Sequence, residues 1–294
     1  MLWDDTNQET RKSEMAVRLE PIFRRDFPQA DRAAVQERIA QEIERDPEPF
    51  LTRYVADPRS LGGRFVNSDL MKETFADYTR SNETRNRYNA PVHNAAAVLA
   101  AEQFRRAIAD NSDLARDVAL FLTGIPGAGK TTSVLVGGAL PTHVRVLYEG
   151  QLANAAQAIE KIELALGAGL RPEITAVHLP AEQALRNILK RFEMEGRGAS
   201  IEAMASIQGR LPEGLKAVQE RFGDAVKLRL LDRRGTISAV LSGWQHLPLL
   251  ESEGSYEDIK RSLSSILERD YRAGRIGQEA YEQALGKAPR DFRR

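Results

Sequence analysis

The sequence predicts an α/β fold, a parallel sheet flanked by helices, with helical N- and C-terminal extensions. Three observations predict it. Short apolar runs alternate with longer helical patterns through the middle of the chain, a glycine-rich loop stands between one such run and a helix, and both ends carry helical spacing instead. With 294 residues the chain is long enough for one large α/β domain with helical additions and a sizeable core.

In chain order, residues 13–55 are charged, with Val17, Leu19, Ile22 and Phe23, then Val35, Ile39 and Ile43, at the spacing of short amphipathic helices. They carry no recognisable chemistry and read as support for the core. Turn formers cluster at Asp57-Pro58-Arg59-Ser60-Leu61-Gly62-Gly63. A boundary there separates an N-terminal helical region, 1–60, from a core, 61–235. Within the core, runs 64–66, 118–123, 144–148, 174–179 and 226–231 are the expected strands, and 92–108, 131–137, 153–166 and 181–192 the expected helices. Beyond Gly235 the pattern returns to helices, 256–271 and 277–285, in a C-terminal extension over 236–294.

Lysine plus arginine and aspartate plus glutamate both number 42, so there is no global field to hold a polyanion, and a nucleic-acid partner is not expected. The absence of cysteine excludes disulfides, thiolate metal sites and a cysteine nucleophile. The first residues bear early acids without the apolar stretch of a secretory signal, and no run approaches the ~20 apolar residues that span a bilayer. A cytoplasmic protein without membrane partners is the expectation.

Gly124-Ile125-Pro126-Gly127-Ala128-Gly129-Lys130-Thr131 satisfies G-x-x-x-x-G-K-S/T in full. With ordinary residue usage the pattern arises by chance in roughly one chain of this length in a hundred. Its context is right as well, because the apolar run Val118-Ala119-Leu120-Phe121-Leu122 precedes it and Thr131 can open a helix. In such a loop the backbone N–H groups of Gly124, Gly127, Ala128, Gly129 and the following residues turn toward phosphate oxygens. Lys130 is then expected at the β- and γ-phosphates of ATP, the Thr131 hydroxyl on Mg²⁺, and Thr132 beside them. A phosphate-binding loop alone does not separate a kinase from a GTPase, a motor or a switch. The guanine-reading N-K-x-D pattern is absent, and so is a strand of four apolar residues ending in Asp-Glu.

Phe65-Val66-Asn67-Ser68-Asp69-Leu70-Met71-Lys72 places an aspartate just after a short apolar run. At the end of a parallel strand the Asp69 carboxylate would face the crevice where α/β sheets bind ligands, and could take the proton of an attacking hydroxyl. Equally, Ser68 or Asp69 could cap the helix that begins at Leu70. Arg191 lies near the end of a helix that Gly196 should stop, and Arg197 lies in the connection beyond it. The two arginines read either as a solvated charged face or as cations that close over the phosphates.

Together these residues resemble the zeta-toxin family of P-loop kinases. The resemblance is carried by Thr123-Gly124-Ile125-Pro126-Gly127-Ala128-Gly129-Lys130-Thr131-Thr132, by Val66-Asn67-Ser68-Asp69 with Ala90-Pro91-Val92-His93-Asn94, by Tyr148-Glu149-Gly150-Gln151, and by Lys190-Arg191-Phe192-Glu193 with Gly196-Arg197. It implies a P-loop kinase-like sheet, Asp69 as general base, Lys130 and Thr131 on ATP-Mg²⁺, Arg191 and Arg197 on phosphates, and Glu149 at the acceptor. His93, Asn94, Gln151 and Tyr88 are further candidates for the acceptor pocket. It also implies a small-molecule hydroxyl acceptor such as a UDP-N-acetylhexosamine, and an antitoxin protein as a partner. In the family the aspartate segment follows the P-loop helix, whereas here it precedes the loop. The expectation is therefore a transposed segment that delivers the same strand to the same sheet through a different connection. A polynucleotide 5′-hydroxyl kinase and an ATP-binding regulatory module without transferase activity stand as alternatives.

Overall fold

A computed structural model describes residues 19–135, 138–235 and 238–287. At its centre is one six-stranded sheet. Its strands are β1 (Phe65–Asn67), β2 (Val118–Gly124), β3 (Val144–Glu149), β4 (Arg171–His178), β5 (Lys227–Asp232) and β6 (Ala239–Ser242), in the order β1-β3-β2-β4-β5-β6. The first five run parallel and β6 returns antiparallel along β5. All seven residues of β2 are buried, as expected of a strand covered on both faces.

The alternation of β2 divides the core. Val118, Leu120 and Leu122 join one apolar cluster, and Ala119 and Phe121 join another on the opposite face. The first cluster is covered by α1 (Ala30–Arg45), α2 (Glu48–Ala56), short helices α3 (Ser68–Met71), α4 (Ala76–Thr79) and α5 (Asn82–Tyr88), and by one side of α6 (His93–Ala109). The second cluster takes the other side of α6, with Phe104 stacked edge-on to Tyr148. Beyond the phosphate-binding loop come α7 (Lys130–Val134), α8 (Ala155–Gly167), α9 (Ala181–Glu195), α10 (Ile201–Phe222), α11 (Tyr256–Arg272) and α12 (Gln278–Ala284). Helix α8 lies on the second cluster, α9, α11 and α12 lie on the first, and α10 passes from the first, at Ile201, Met204 and Ala205, to the second, at Leu211, Leu215 and Val218.

The N-terminal helices are tied to the sheet by a buried hydroxyl. Tyr54 Oη on α2 donates to the Phe65 carbonyl at 2.6 Å and accepts from Asn67 N–H at 3.0 Å, so it bonds both ends of edge strand β1. Burial pushes the phenol pKa well above its ordinary range, keeping it a donor. Tyr54→Phe should leave two strand groups without partners and lower stability by roughly 1–3 kcal/mol, read as a fall in Tm.

Several elements differ from the sequence expectation. Residues 19–28 form no helix, and Val17 lies outside the described residues. Pro21 and Pro28 interrupt helical hydrogen bonding, Gln36 bonds both the N–H and the carbonyl of Arg25, and Arg24 forks onto Glu44 at 2.6 and 2.8 Å. The segment is thereby strapped along α1 with Ile22 inside and Phe23 outside. Helix α7 is only five residues long, with Leu135 already extended, instead of reaching through 131–137. Helix α10 runs 22 residues through Gly209, Pro212 and Gly214. A side chain at Gly214 would strike the Leu152 carbonyl, so the glycine permits close packing on the loop after β3.

Candidate active site

Strand β2 pairs with β3 on one side and β4 on the other, so its C-terminal end lies where the connections diverge. Open α/β sheets bind ligands at such a point. The phosphate-binding loop occupies it. Gly127 and Gly129 have φ of +87° and +70°, a region closed to most side chains, and an added Cβ would strike the Ala184 carbonyl and the Arg233 guanidinium respectively. Two loop carbonyls are bonded from outside: Asn187 Nδ2 of α9 donates to Gly127 O at 2.8 Å, and Arg233 Nη1, just past β5, donates to Ala128 O at 2.7 Å. The Ala128 N–H is itself bonded to the Ile125 carbonyl at 3.2 Å, which closes the loop into a tight turn at the head of α7.

At the mouth of the loop Thr131 Oγ1 donates to Glu149 Oε2 at 2.8 Å, and Lys130 Nζ lies 3.6 Å from Glu149 Oε1 and 3.4 Å from the Ile125 carbonyl. Thr132 Oγ1 donates instead to the Gly129 carbonyl at 2.9 Å. Glu149 ends β3, the strand next to β2. Its carboxylate is thus directed at the Thr131 hydroxyl and the Lys130 ammonium. The resemblance assigns it to the acceptor, whereas the geometry ties it to the loop.

The aspartate segment enters the same crevice through β1. Asn67 stands in register with Glu149, and the chain turns into α3 at this point. The cap of α3 is Asn67, whose Oδ1 accepts from Leu70 N–H at 3.0 Å. Neither Ser68 nor Asp69 caps, because the extended residue with the free side-chain oxygen is the last of the strand. Asp69 sits in the first turn with its carboxylate free for other partners. Lys72 Nζ bonds Asp69 Oδ1 at 2.9 Å, and Arg197 Nη2 approaches Oδ2 at 3.4 Å. Lys72 foremost, then Arg197 and Arg191, hold the Asp69 carboxyl far below the usual carboxylate range, against the opposing effect of burial.

Arg197 reaches Asp69 from the connection after α9. Gly196, with φ of +68°, ends that helix, and Asn82 Nδ2 of α5 bonds the Met194 carbonyl at 3.2 Å. Arg191, on α9, is paired with Glu195 at 3.4 Å. His93 opens α6 with its N–H on the Ala90 carbonyl at 3.2 Å, and burial, reinforced by Lys72, lowers its pKa to about 4, so the imidazole is neutral. Asn94 is turned to the N-terminal strap, donating to the Phe23 carbonyl at 2.8 Å. Gln151 is exposed after β3, and the Tyr88 hydroxyl is engaged by Asp31 at 3.3 Å. Sequence reading missed Lys72, Asn89, Asn187 and Arg233. For Lys72 the available signal was a lysine three residues after a candidate base, one helical turn along.

Fold and site together define an α/β protein of the P-loop kinase-like type. Residues 135–242 match the family model for zeta toxin. The matched residues begin after the phosphate-binding loop and Asp69. No curated protein matches the chain significantly. Among solved structures, one aligns with a TM-score of 0.40 at 9% identity, over 84% of this chain and 98% of that one. It comes from a molecular and structural characterization of the PezAT chromosomal toxin-antitoxin system of the human pathogen Streptococcus pneumoniae. No helix among the described residues is long and apolar enough to cross a membrane.

Proposed function

We propose that the protein is an ATP-dependent kinase acting on a hydroxyl of a small molecule, a nucleotide sugar such as UDP-N-acetylglucosamine being the acceptor class that the zeta-toxin resemblance implies. One observation supports this above the others. Strand β1, which precedes the loop in sequence, runs parallel to β3 and brings Asn67 level with Glu149, the partner of Thr131, so that the aspartate segment and the loop meet the same C-terminal edge of the sheet. In this reading the transposed segment supplies what phosphoryl transfer needs: a base near the acceptor and cations around the transferred group.

The loop residues suit the triphosphate, since the positive φ of Gly127 and Gly129 gives the backbone the turn that a phosphate-binding loop uses. No group of three or more His, Asp or Glu among the described residues forms a metal site, so Mg²⁺ would rest on Thr131, with Glu149 beside it, and on phosphate oxygens. When bound, Mg-ATP supplies the transferable phosphoryl group and offsets part of its charge.

The chain's own residues supply the remainder. Lys130 leaves Glu149 for the β- and γ-phosphates. Asp69 accepts the proton of the acceptor hydroxyl as its oxygen attacks. Arg197, and Arg191 on the adjoining helix turn, neutralise charge on the phosphoryl oxygens. His93, neutral and with free nitrogens at the crevice, is available to a polar group of the acceptor. An antitoxin that covers this crevice is the protein partner consistent with the reading.

The test is transfer of label from γ-labelled ATP to a panel of nucleotide sugars, dinucleotides and 5′-hydroxyl oligonucleotides. Labelled nucleotide sugar is the expected product. Label on oligonucleotides alone would replace the reading with a polynucleotide kinase, and ATP binding without any labelled acceptor would replace it with a regulatory module.

A further inference from the structure

Lys72 is almost completely enclosed, its side chain 3% exposed, on the short helical turn between α3 and α4. A buried ammonium is costly unless paired and hydrogen-bonded. This one has two acceptors, Asp69 Oδ1 at 2.9 Å and Asn89 Oδ1 at 2.8 Å. The Asp69 side chain is 48% exposed. An enclosed cation therefore grips one oxygen of a carboxylate that otherwise faces the crevice. Asn89 stands at the end of α5, four residues before His93, so Lys72 joins the base segment to the turn that leads into α6.

We propose that Lys72 is a positioning residue for the kinase reaction: anchored by Asn89, it grips Oδ1 of Asp69 and leaves Oδ2 to meet the acceptor hydroxyl. The inference rests on the reading of Asp69 as base. The division of labour follows from mobility. Arg197 also reaches Asp69, at 3.4 Å, but it does so from the connection after α9 and is claimed by phosphate in the proposed reaction. When Arg197 moves to phosphate, Lys72 remains, fixed by its burial. Asp69 then keeps a defined orientation while losing one of its two cationic neighbours, which makes it a better proton acceptor at the moment a nucleotide is in place.

The groups facing Asp69 are Lys72 on its own segment, Arg191 and Arg197 from α9 and its end, Tyr78 from α4 and His93 from α6. Of these Lys72 is the strongest influence on its ionisation. Removing it should shift the titration of Asp69 upward, toward the ordinary aspartate value of about 3.9.

The experiment compares the parent, Lys72→Met, Asp69→Asn and the double variant, using γ-labelled ATP and UDP-N-acetylglucosamine, with ATP affinity by calorimetry. Lys72→Gln serves as a second charge-removing variant should methionine disturb folding. The carboxyl ¹³C resonance of Asp69, assigned by its loss in Asp69→Asn, is titrated in parallel and needs no acceptor. Lys72→Met should lower kcat by about 10–100-fold, the scale set by misplacing a reacting group by an ångström or less, with ATP affinity kept. It should also move the Asp69 titration upward and add nothing to Asp69→Asn. An equal loss from Lys72→Met in the Asp69→Asn background, or an unmoved Asp69 titration, would overturn the proposal. Full activity in Asp69→Asn would instead remove the base reading itself, a result separate from the fate of Lys72 because the resonance still reports whether Lys72 grips the carboxylate.

Discussion

Lys130→Ala should cut phosphoryl transfer by at least about 10²–10³-fold, the scale seen when one group that stabilises developing charge is removed. The amine is within reach of the loop mouth, where it stands 3.4 Å from the Ile125 carbonyl and 3.6 Å from Glu149, and no main-chain group depends on it for its only bond. Alanine keeps the helical backbone of α7 and deletes only the cation. The loss should therefore appear in ATP affinity and in turnover together, with an unchanged melting transition. A folded Lys130→Ala protein that transfers phosphate at the parent rate would remove the phosphate-binding loop from the mechanism.

Asp69→Asn should lose about 10²–10⁴-fold in transfer, the usual contribution of general-base catalysis, while ATP affinity stays near the parent value. Helix capping does not complicate the comparison, because Asn67 caps α3 and Asp69 does not. The amide retains the shape of the carboxyl and an oxygen for Lys72, but cannot accept the acceptor's proton. The pH dependence follows from the lowered pKa of Asp69, caused first by Lys72 and then by Arg197 and Arg191. Because the folded value lies below the ordinary one, the carboxylate stays ionised as pH falls through about 4. Its ion pairs favour the folded state above the unfolded pKa, and that contribution is lost only as pH falls through the lower, folded one. The parent kcat should accordingly show no acid limb from Asp69 between pH 7 and 5. Equal transfer by Asp69→Asn and the parent across that range would leave the proposed mechanism without a base.

Much of the fold was legible because its signals are local. The runs at 118–123 and 144–148 are too short and too uniformly apolar for surface helices, and they became β2 and β3 within a residue at each end. Helices at 256–271 and 277–285 emerged as α11 and α12 with similar agreement, since amphipathic spacing and the Ser255 cap act within one or two turns. Local signals misled where packing intervened. Leu19, Ile22 and Phe23 have helical spacing, yet they form no helix, with two prolines in the segment and the Gln36 side chain bonding the Arg25 backbone. Helix α10 was not among the expected elements, and its Gly209 and Gly214 permit close approach to Tyr256 and to the loop after β3.

The sequence by itself determined the phosphate-binding loop, since its glycines, lysine and threonine act through backbone conformation and side chains fixed by a contiguous pattern. It also determined that a carboxylate would follow a short strand at Asp69. It could not determine where that strand would lie, because a three-residue run carries no information about its neighbour in a sheet. Strand order was decided by tertiary structure, through β3 accepting β1 on its free edge and through Tyr54 bonding Phe65 and Asn67. The partners of the site residues were decided the same way. Lys72 meets Asn89 across seventeen residues, Arg233 meets Ala128 across a hundred and five, and Thr131 meets Glu149 across eighteen. Each depends on which side chains the folded sheet and its covering helices enclose together, a non-local outcome that no spacing along the chain encodes.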